Sequence, residues 1–484
     1  MALAAALSLR KSLPVYTKCS MQLPLLISTL LLLLTKTKCA VCSSIGKSLP
    51  GFPEPLPFKL EAGYIGLGEH EDVQLFYYFV ESERNSSEAP LMLWIAGGPG
   101  CSALCGLWLE IGPLRFNMVK YNGSLPTFSV NPHSWTKVSS IIFVDAPVGT
   151  GFSYSRSYQG YKVTDKTHAH HCHSFLRKWL VNHPRFARNP VYIGGDSYSG
   201  KLVPIVTKYI SDANEAGETP KINLKGYVVG NPVTDPNFDF NSRVPFSHRM
   251  ALISDDLYES AERTCRGEYI GTNKTKLACW KNIKAIEKCI ENINLEHILE
   301  PNCPAELSLP KIDIENRRYL TEKHKNSLLS PIEVYQFGCR NYVNALVHAW
   351  ANDVNVQKAL FVRLGTVKNW VRCNGSMLYT RDVSSAVGYH RYLRTKKLPA
   401  LIYSGDHDMC MPYLGTLWWI NSLNSTIVDA WRPWLIDGQI AGYVQEYSNY
   451  LTFATVKGGG HTAAEYKPKE CFEMFKRWIS HEPL

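Results

Sequence analysis

The chain has 484 residues, a formal net charge of +10 and 14 cysteines. The first 42 residues contain five basic residues and no acidic ones, and subtracting these five charges from +10 leaves +5 for the rest. This balance excludes the strongly basic character typical of nucleic-acid-binding proteins. The length suits one large domain with an insertion, and the cysteine content favours an oxidising compartment.

The first predicted element is a secretion signal at the N-terminus. Residues 23–34 are mostly leucine, and a run of this length is too short to cross a bilayer at about 1.5 Å per residue. Small residues at 40–44 suit a signal peptidase, so residues 1–43 are predicted to be a signal peptide, with an uncleaved anchor as the alternative. After cleavage we expect no membrane span. The expected location is the secretory pathway, the vacuole or the extracellular space.

Potential glycosylation sites agree with that route. Each predicted site begins an Asn-x-Ser/Thr sequon without proline in the middle position. They are Asn85, Asn122, Asn273, Asn374 and Asn424.

Seven apolar runs predict the strands of a sheet that is antiparallel at first and then largely parallel. These runs are residues 74–80, 91–96, 141–145, 191–194, 225–229, 400–404 and 451–457. Between about residues 231 and 330 the pattern changes to charged, helix-period segments with several cysteines. The predicted fold is therefore α/β, with core segments 44–230 and 336–484 and a helical cap insertion at 231–335. Within the insertion, the polar stretch 305–331 is predicted to be a mobile loop or a proteolytic linker.

A glycine-rich turn follows the second of these runs. Gly97 and Gly98 come directly after the apolar residues 91–96. Consecutive glycines expose backbone N–H groups, which can form an oxyanion hole with the N–H of Tyr198. The alternative is an ordinary tight turn at the edge of the sheet.

The run at 191–194 leads into Gly195-Asp196-Ser197-Tyr198-Ser199-Gly200, a serine flanked by small residues. A nucleophile elbow of the α/β-hydrolase type needs such neighbours because the strand-to-helix turn is crowded. Asp408 and His461 follow two later strands, which gives the chain order Ser, Asp, His of that fold. A histidine is needed to take the serine proton, and a buried carboxylate orients the histidine.

These segments resemble the serine carboxypeptidase family, from about Gly63 to the end of the chain. The matching stretches are Gly97-Gly98-Pro99-Gly100-Cys101-Ser102, Asp145-Ala146-Pro147-Val148-Gly149-Thr150-Gly151-Phe152-Ser153-Tyr154, Gly195-Asp196-Ser197-Tyr198 and Ser404-Gly405-Asp406-His407-Asp408. The resemblance implies a catalytic triad of Ser197, Asp408 and His461, oxyanion donors at Gly98 and Tyr198, and no cofactor or metal. It also implies the disulfides Cys101–Cys373, Cys265–Cys279 and Cys303–Cys339.

The chain departs from the family's peptidases at the group that binds a peptide C-terminus. Those enzymes use an asparagine before Gly-Gly-Pro and two glutamates, and the corresponding positions here are assigned to Ala96, Leu109 and Asp196. Two of these three side chains have no polar atom. Burying the terminal carboxylate of a peptide without hydrogen-bond donors costs roughly several kcal/mol of binding free energy. We therefore expect poor binding of peptide C-termini.

The Asp-Ser-Tyr-Ser variant resembles the plant acyltransferase branch of the family. Its members move an acyl group from a 1-O-glucose ester to an alcohol, which predicts a small-molecule donor and acceptor as partners. A carboxypeptidase is the closest alternative, and a catalytically silent partner of related enzymes is a third. The acyl group and the acceptor stay open.

A cluster of histidines near residue 170 has the residue types of a metal site. His168, His170, His171, Cys172 and His173 are nearly consecutive, so they point to different sides of a helix. We therefore predict a solvated helix start here and no metal.

Overall fold

A computed structural model describes residues 43–44, 48–303 and 336–484. Nearly all of the predicted signal peptide and the polar stretch 305–331 lie outside these residues. The strands are β1 (Ser43–Ser44), β2 (Leu60–Leu67), β3 (Val73–Val80), β4 (Leu91–Ile95), β5 (Leu114–Phe116), β6 (Phe128–Val130), β7 (Ser140–Val144), β8 (Tyr154–Ser155), β9 (Val163–Thr164), β10 (Val191–Asp196), β11 (Leu224–Gly230), β12 (Tyr379–Thr380), β13 (Ala400–Gly405), β14 (Ile427–Ile436), β15 (Gln439–Tyr447) and β16 (Leu451–Val456).

Helices pack around these strands. The helices are α1 (Asp165–Asn182), α2 (Ser199–Glu215), α3 (Pro236–Asn241), α4 (Arg243–Arg249), α5 (Asp255–Cys265), α6 (Leu277–Ile290), α7 (Val343–Asn352), α8 (Val354–Ala359), α9 (Val387–Thr395), α10 (Tyr413–Asn421), α11 (Ala463–Tyr466) and α12 (Pro468–Ile479). Helices α3 to α6 lie in the predicted cap region, where the sequence changes to helix-period segments. In the described part of the chain, no helix is both long enough and apolar enough to span a membrane.

Twelve of the described strands form one sheet in the order β1-β2-β3-β7-β4-β10-β11-β13-β16-β15-β14, with β8 paired to β3. The centre, from β7 to β16, is parallel, and the flanking pairs are antiparallel. This mixed, mostly parallel sheet with helices confirms the predicted fold class. Parallel strands place their carboxyl ends at one edge, so the segments that follow β4, β10, β13 and β16 converge there.

The central strands are continuous apolar runs because helices cover both faces of the sheet. In β4, Leu91, Leu93 and Ile95 face one core cluster, while Met92 and Trp94 face the other. The first cluster includes buried residues of α1 and α2, and the second includes residues of α12. The site at the end of β4 therefore rests on a two-sided core.

The three predicted disulfides are confirmed, and two of them belong to the cap region or its border. Cys265–Cys279 joins α5 to α6, and Cys303–Cys339 joins the two sides of the stretch that is not described. Cys101–Cys373 links positions 272 residues apart. It ties the glycine turn after β4 to the second half of the chain.

The histidine cluster on α1 differs from its prediction as a solvated helix start. His168 and Cys172 are fully buried, and only His170 of the cluster is exposed. Burial lowers the pKa of His168 to about 3, so its imidazole is neutral. The reason for the difference is that α1 packs on the sheet, so its inner face enters the core.

The sequons differ in their surroundings. Asn85, Asn122, Asn273 and Asn424 are exposed. The side-chain amide of Asn374 is partly buried and donates a hydrogen bond to the Gly149 carbonyl at 2.9 Å. We therefore expect the four exposed asparagines to be glycosylated more readily than Asn374.

Candidate active site

Ser197 lies on a sharp turn between β10 and α2. Its φ of 53° is in the left-handed region, and its N–H donates to the Gly230 carbonyl at 2.9 Å. Gly195 is required by close packing, because a Cβ there would lie 2.5 Å from the Ile95 carbonyl oxygen. This crowding is what the small residues of the motif predicted.

The structure brings Ser197, His461 and Asp408 into one hydrogen-bonded chain. His461 Nε2 lies 2.8 Å from Ser197 Oγ, and His461 Nδ1 lies 2.9 Å from Asp408 Oδ2. The three residues follow β10, β16 and β13, so the parallel sheet sets their proximity. The geometry is that of a nucleophile, a base and an orienting acid.

Asp408 is fully buried and its carboxylate is held by several donors. Oδ2 accepts from Asn231 Nδ2 at 2.8 Å, and Oδ1 accepts from the N–H groups of Cys410 at 2.7 Å and Met411 at 3.1 Å. Asn231 was not identified from the sequence. The available signal was its place directly after β11, at the same edge of the sheet.

The charge on Asp408 dominates the surroundings of His461. Burial would lower the pKa of His461, but the Asp408 carboxylate outweighs it and raises the pKa to about 9. The site therefore stabilises the imidazolium that forms when His461 accepts a proton.

Cys410 brings a thiol close to the acid and the base. Potential ligand atoms of Asp408, Cys410 and His461 lie within 4.8 Å of one another. The hydrogen bond between Asp408 and His461 explains why these two side chains lie close together, and no metal ion is needed to explain it. We therefore interpret the cluster as part of the triad.

A short segment of the cap, residues 294–298, lies between the acid and base loops and is called the strap here. The Leu295 carbonyl accepts from the N–H groups of Met409 at 2.9 Å and Cys410 at 3.0 Å. The Glu296 carbonyl accepts from the His461 N–H at 2.7 Å. The strap thus joins both loops through its main chain.

The glycine turn lies directly against the nucleophile. A Cβ at Gly97 would lie 2.7 Å from Ser197 Cβ, and Gly98 has a φ of 115° that favours glycine. Ser199 Oγ donates to the Ala96 carbonyl at 2.8 Å and fixes the turn. Within the described residues, the N–H groups of Gly98 and Tyr198 donate to no other backbone group. They are suited to hold an oxyanion.

The sequence assigned Leu109 to the peptidase group, but it is the neighbouring Glu110 whose carboxyl group lies close enough to Asp196 for the two to interact electrostatically. Glu110 and Asp196 are each 6 % exposed, while Leu109 lines a cavity. Residues Cys105–Glu110 form a π-helical turn, which takes about one residue more per turn than an α-helix and shifts the side-chain directions. Of the three positions, only Ala96 therefore lacks a polar side chain.

The two carboxyl groups are both shifted toward the neutral form. Burial raises the pKa of Glu110, and the nearby Asp196 carboxylate adds to this effect. Burial raises the pKa of Asp196 to about 6, although His461, Arg372 and backbone N–H groups favour its charged form. The pair can therefore hold a proton at mildly acidic pH.

This shift predicts that the Asp196 carboxyl group contributes more to the stability of the folded protein at acidic than at neutral pH. Because the folded-state pKa of Asp196 is about 6 against 3.8 for the free group, its contribution is complete below pH 3.8 and is lost as pH rises through about 6. Asp196→Asn should reduce the fall in the free energy of unfolding between pH 4 and 7 by about 2 kcal/mol. Chemical denaturation at both pH values measures it.

The exposed Asp256→Asn is the matched control and should leave the pH dependence unchanged. Some dependence remains in both variants, since burial also raises the pKa of Asp145 to about 6 and of Asp239 to about 7. An unaltered difference between pH 4 and pH 7 in Asp196→Asn would show that Asp196 is charged throughout.

A cavity of about 980 Å³ adjoins the acid and base loops. Its lining includes Cys410 from the acid loop, Glu296 from the strap, the aromatic side chains of Trp108, Phe116 and Tyr466, and Leu109. Its size and mixed lining are typical of small-molecule sites.

The sheet order, the elbow and the Ser-His-Asp geometry define an α/β-hydrolase. A family model described as serine carboxypeptidase matches residues 50–481, so the chain belongs to the serine carboxypeptidase family.

Two relatives from Arabidopsis thaliana match over nearly their whole length. Serine carboxypeptidase-like 7 is 48% identical over 460 residues, covering 95% of this chain and 98% of the relative. Serine carboxypeptidase-like 17 is 45% identical over 453 residues, covering 94% and 97%. The crystal structure of the prohormone-processing carboxypeptidase Kex1 from Saccharomyces cerevisiae has a TM-score of 0.69 at 18% identity, covering 90% of this chain and 95% of that one. This last similarity shows the fold.

Proposed function

We propose that the protein is an acyltransferase that moves an acyl group from a 1-O-glucose ester to an alcohol. The observation that carries the proposal is an unsatisfied acceptor beside the nucleophile: Asp196 Oδ1 is buried and has no hydrogen-bond partner among the described residues. A sugar hydroxyl can donate to this oxygen. A peptide carboxylate is only an acceptor and cannot donate to this oxygen.

Ala96 supports the same choice. Its methyl group is buried beside the glycine turn and replaces the amide that would donate to a peptide's terminal carboxylate. A carboxylate bound here would lose its hydration without gaining that donor. A neutral donor such as a glucose ester avoids this loss.

The proposed reaction proceeds through an acyl-enzyme. Ser197 Oγ attacks the ester carbonyl while His461 Nε2 accepts its proton, and the N–H groups of Gly98 and Tyr198 hold the resulting oxyanion. The C–O bond to the sugar then breaks, and His461 returns the proton to the departing glucose oxygen. An acceptor alcohol next gives its proton to His461 and attacks the acyl carbon. The bond from the acyl carbon to Ser197 Oγ then breaks, and His461 returns the proton to Oγ, which releases the new ester and restores Ser197.

The cavity is proposed to receive the acyl group or the acceptor. Tyr466, which is partly exposed, offers an aromatic surface that suits a planar acyl group such as galloyl or hydroxycinnamoyl. We place the enzyme on the secretory route, ending in the vacuole or outside the cell. The three disulfides and the four exposed sequons support this location.

A serine carboxypeptidase is the second candidate, and Glu110 is the observation that favours it. Glu110 and Asp196 together keep two of the three polar positions of the peptidase group, and at low pH their shared proton could be donated to a carboxylate. The two candidates differ in the leaving group and in the second nucleophile. They share the triad.

A substrate comparison separates the two. Glycosylated, secreted protein should show a kcat/KM on at least one acyl-glucose far above its kcat/KM on blocked dipeptides, with product masses showing ester transfer. Ala96→Asn adds one donor to a charged group and should raise the dipeptide kcat/KM by about tenfold or more.

Ala96→Leu introduces a side chain with the same branching and number of heavy atoms as Ala96→Asn but without the amide, and it should give no such gain. If the unmodified protein releases C-terminal residues efficiently and transfers from no acyl-glucose, the acyltransferase proposal fails and the carboxypeptidase candidate stands.

A further inference from the structure

The side chain of Tyr198, the residue after the nucleophile, is anchored to a buried carboxylate. Tyr198 OH donates to Asp165 Oδ1 at 2.7 Å, and Asp165 is fully buried at the first position of α1. Burial, followed by the Asp165 charge, raises the pKa of Tyr198, so the phenol keeps its proton and acts as the donor.

Asp165 accepts two further hydrogen bonds. Tyr379 OH donates to the same oxygen, Oδ1, at 2.8 Å, and the Val383 N–H donates to Oδ2 at 2.9 Å. The rings of Tyr198 and Tyr379 meet edge to face with centroids 6.2 Å apart. The two phenols therefore share one acceptor atom, at nearly equal distances.

A buried lysine compensates the charge of Asp165. Lys201 is 4 % exposed, and its ammonium donates to the carbonyls of Val383 at 2.8 Å and Ser384 at 3.3 Å. Its Nζ lies 5.7 Å from the Tyr198 ring centroid. A buried carboxylate with three donors and a nearby cation is a rigid anchor.

The elbow needs an anchor of this kind. Ser197 is held at a φ of 53°, a conformation that non-glycine residues rarely adopt and that persists where surrounding contacts fix it. Tyr198 begins α2 as its N-cap residue but makes no side-chain capping bond to it. Its side chain instead crosses to Asp165 on α1. The contact thus fixes the residue whose N–H faces the oxyanion position.

We propose that Asp165 is a positioning residue for acyl transfer: through the Tyr198 phenol it holds the Tyr198 N–H and Ser197 Oγ in the geometry that the reaction needs. It touches neither substrate nor the reacting atoms. The proposal rests on the serine chemistry of the proposed function, and it holds equally for transfer and for peptide hydrolysis.

The test compares two variants that each remove one bond to Asp165 Oδ1. Tyr198→Phe frees the elbow, whereas the matched control Tyr379→Phe removes a bond of similar length from a residue outside it. The readout is the second-order rate of labelling of Ser197 by a fluorophosphonate, whose adduct places an oxygen at the oxyanion position. We expect a decrease of at least tenfold for Tyr198→Phe and less than twofold for Tyr379→Phe.

Asp165→Asn provides a second, independent measurement. Asp165→Asn should slow labelling as Tyr198→Phe does. The double variant Asp165→Asn, Tyr198→Phe should be labelled no more slowly than Tyr198→Phe alone, because the two substitutions act through the same contact. Thermal unfolding of each variant separates positioning from stability. On an ester substrate, kcat should fall while KM changes little.

Equal slowing by Tyr198→Phe and Tyr379→Phe, or slowing that follows the loss of Tm across the series, would overturn the proposal and leave Asp165 a structural residue. An unchanged labelling rate in Tyr198→Phe would overturn it as well. Fluorophosphonate labelling requires no glucose ester. The outcome is therefore independent of whether the acyltransferase proposal itself succeeds.

Discussion

Replacement of Ser197 by alanine is expected to lower turnover by about 10⁴- to 10⁶-fold, because the nucleophile, the base and the oxyanion donors act as one unit. Ser197 Oγ is the first group of the hydrogen-bonded series that continues through His461 to the buried Asp408. Ser197→Ala should be secreted and should unfold at the same temperature as the unmodified protein. Turnover on the best substrate of the acyl-glucose panel gives the magnitude.

Two controls accompany this variant. In unmodified protein a fluorophosphonate should label Ser197 alone, and peptide mapping locates the adduct. Adding His461→Ala to Ser197→Ala should lower the remaining rate only slightly, since the unit is already broken. Labelling at another serine, or near-full activity of Ser197→Ala, would assign the nucleophile elsewhere.

Loss of the Cys101–Cys373 disulfide is expected to have the largest effect on stability. The bond closes a loop of 272 residues, and the loop-entropy model gives about 5 kcal/mol for a loop of that size. Cys101 also lies in the glycine turn, so its release should loosen the candidate oxyanion loop. The double variant Cys101→Ser, Cys373→Ser should therefore fail to accumulate as secreted, active protein.

The matched control is the pair Cys265→Ser, Cys279→Ser, which opens a loop of only 14 residues between α5 and α6. For this loop the same model gives about 3 kcal/mol, and the change lies in the cap. Denaturant unfolding and secreted yield compare the two pairs. A smaller loss of stability for Cys101 and Cys373 than for the cap pair would contradict the loop-size argument.

The central sheet could be predicted because each of its strands has a recognisable local sequence pattern. Strands β4, β10, β13 and β16 are short apolar runs that contain glycine at their carboxyl end or are followed by it within two residues, and short apolar runs bounded by such turn residues are typical of buried parallel strands. The outer strands β14 and β15 were missed. They expose apolar side chains such as Val428, and β14 contains Pro433, which argues against a strand.

In the candidate site, residues that carry a motif were predictable and residues that arrive by tertiary packing were not. Asn231 and Asp165 reach their partners over 177 and 33 positions along the chain, and no local pattern marks either contact. The resemblance to the family's peptidases assigned Leu109 to the position beside Asp196, and it could not show that residues 105–110 form a π-helical turn that changes which side chain points toward Asp196. The identity of the substrate group beside Asp196 depends on this single shift.

The strap has a consequence for how substrate preference could diversify in such a fold. Its bonds to the acid and base loops use the carbonyls of Leu295 and Glu296, so these two side chains can be exchanged without loss of those bonds. His297 is different, because its ring lies 3.1 Å from the Gly458 carbonyl oxygen and stacks on His407. A further constraint falls on Gly460, where a Cβ would lie 2.5 Å from the Glu296 carbonyl oxygen. A chimeric protein that carries the cap of a relative should therefore keep the acid and the base in position if the junctions preserve the main-chain conformation of residues 294–298. A junction made inside that segment would separate the base from the acid even though both remain in the sequence.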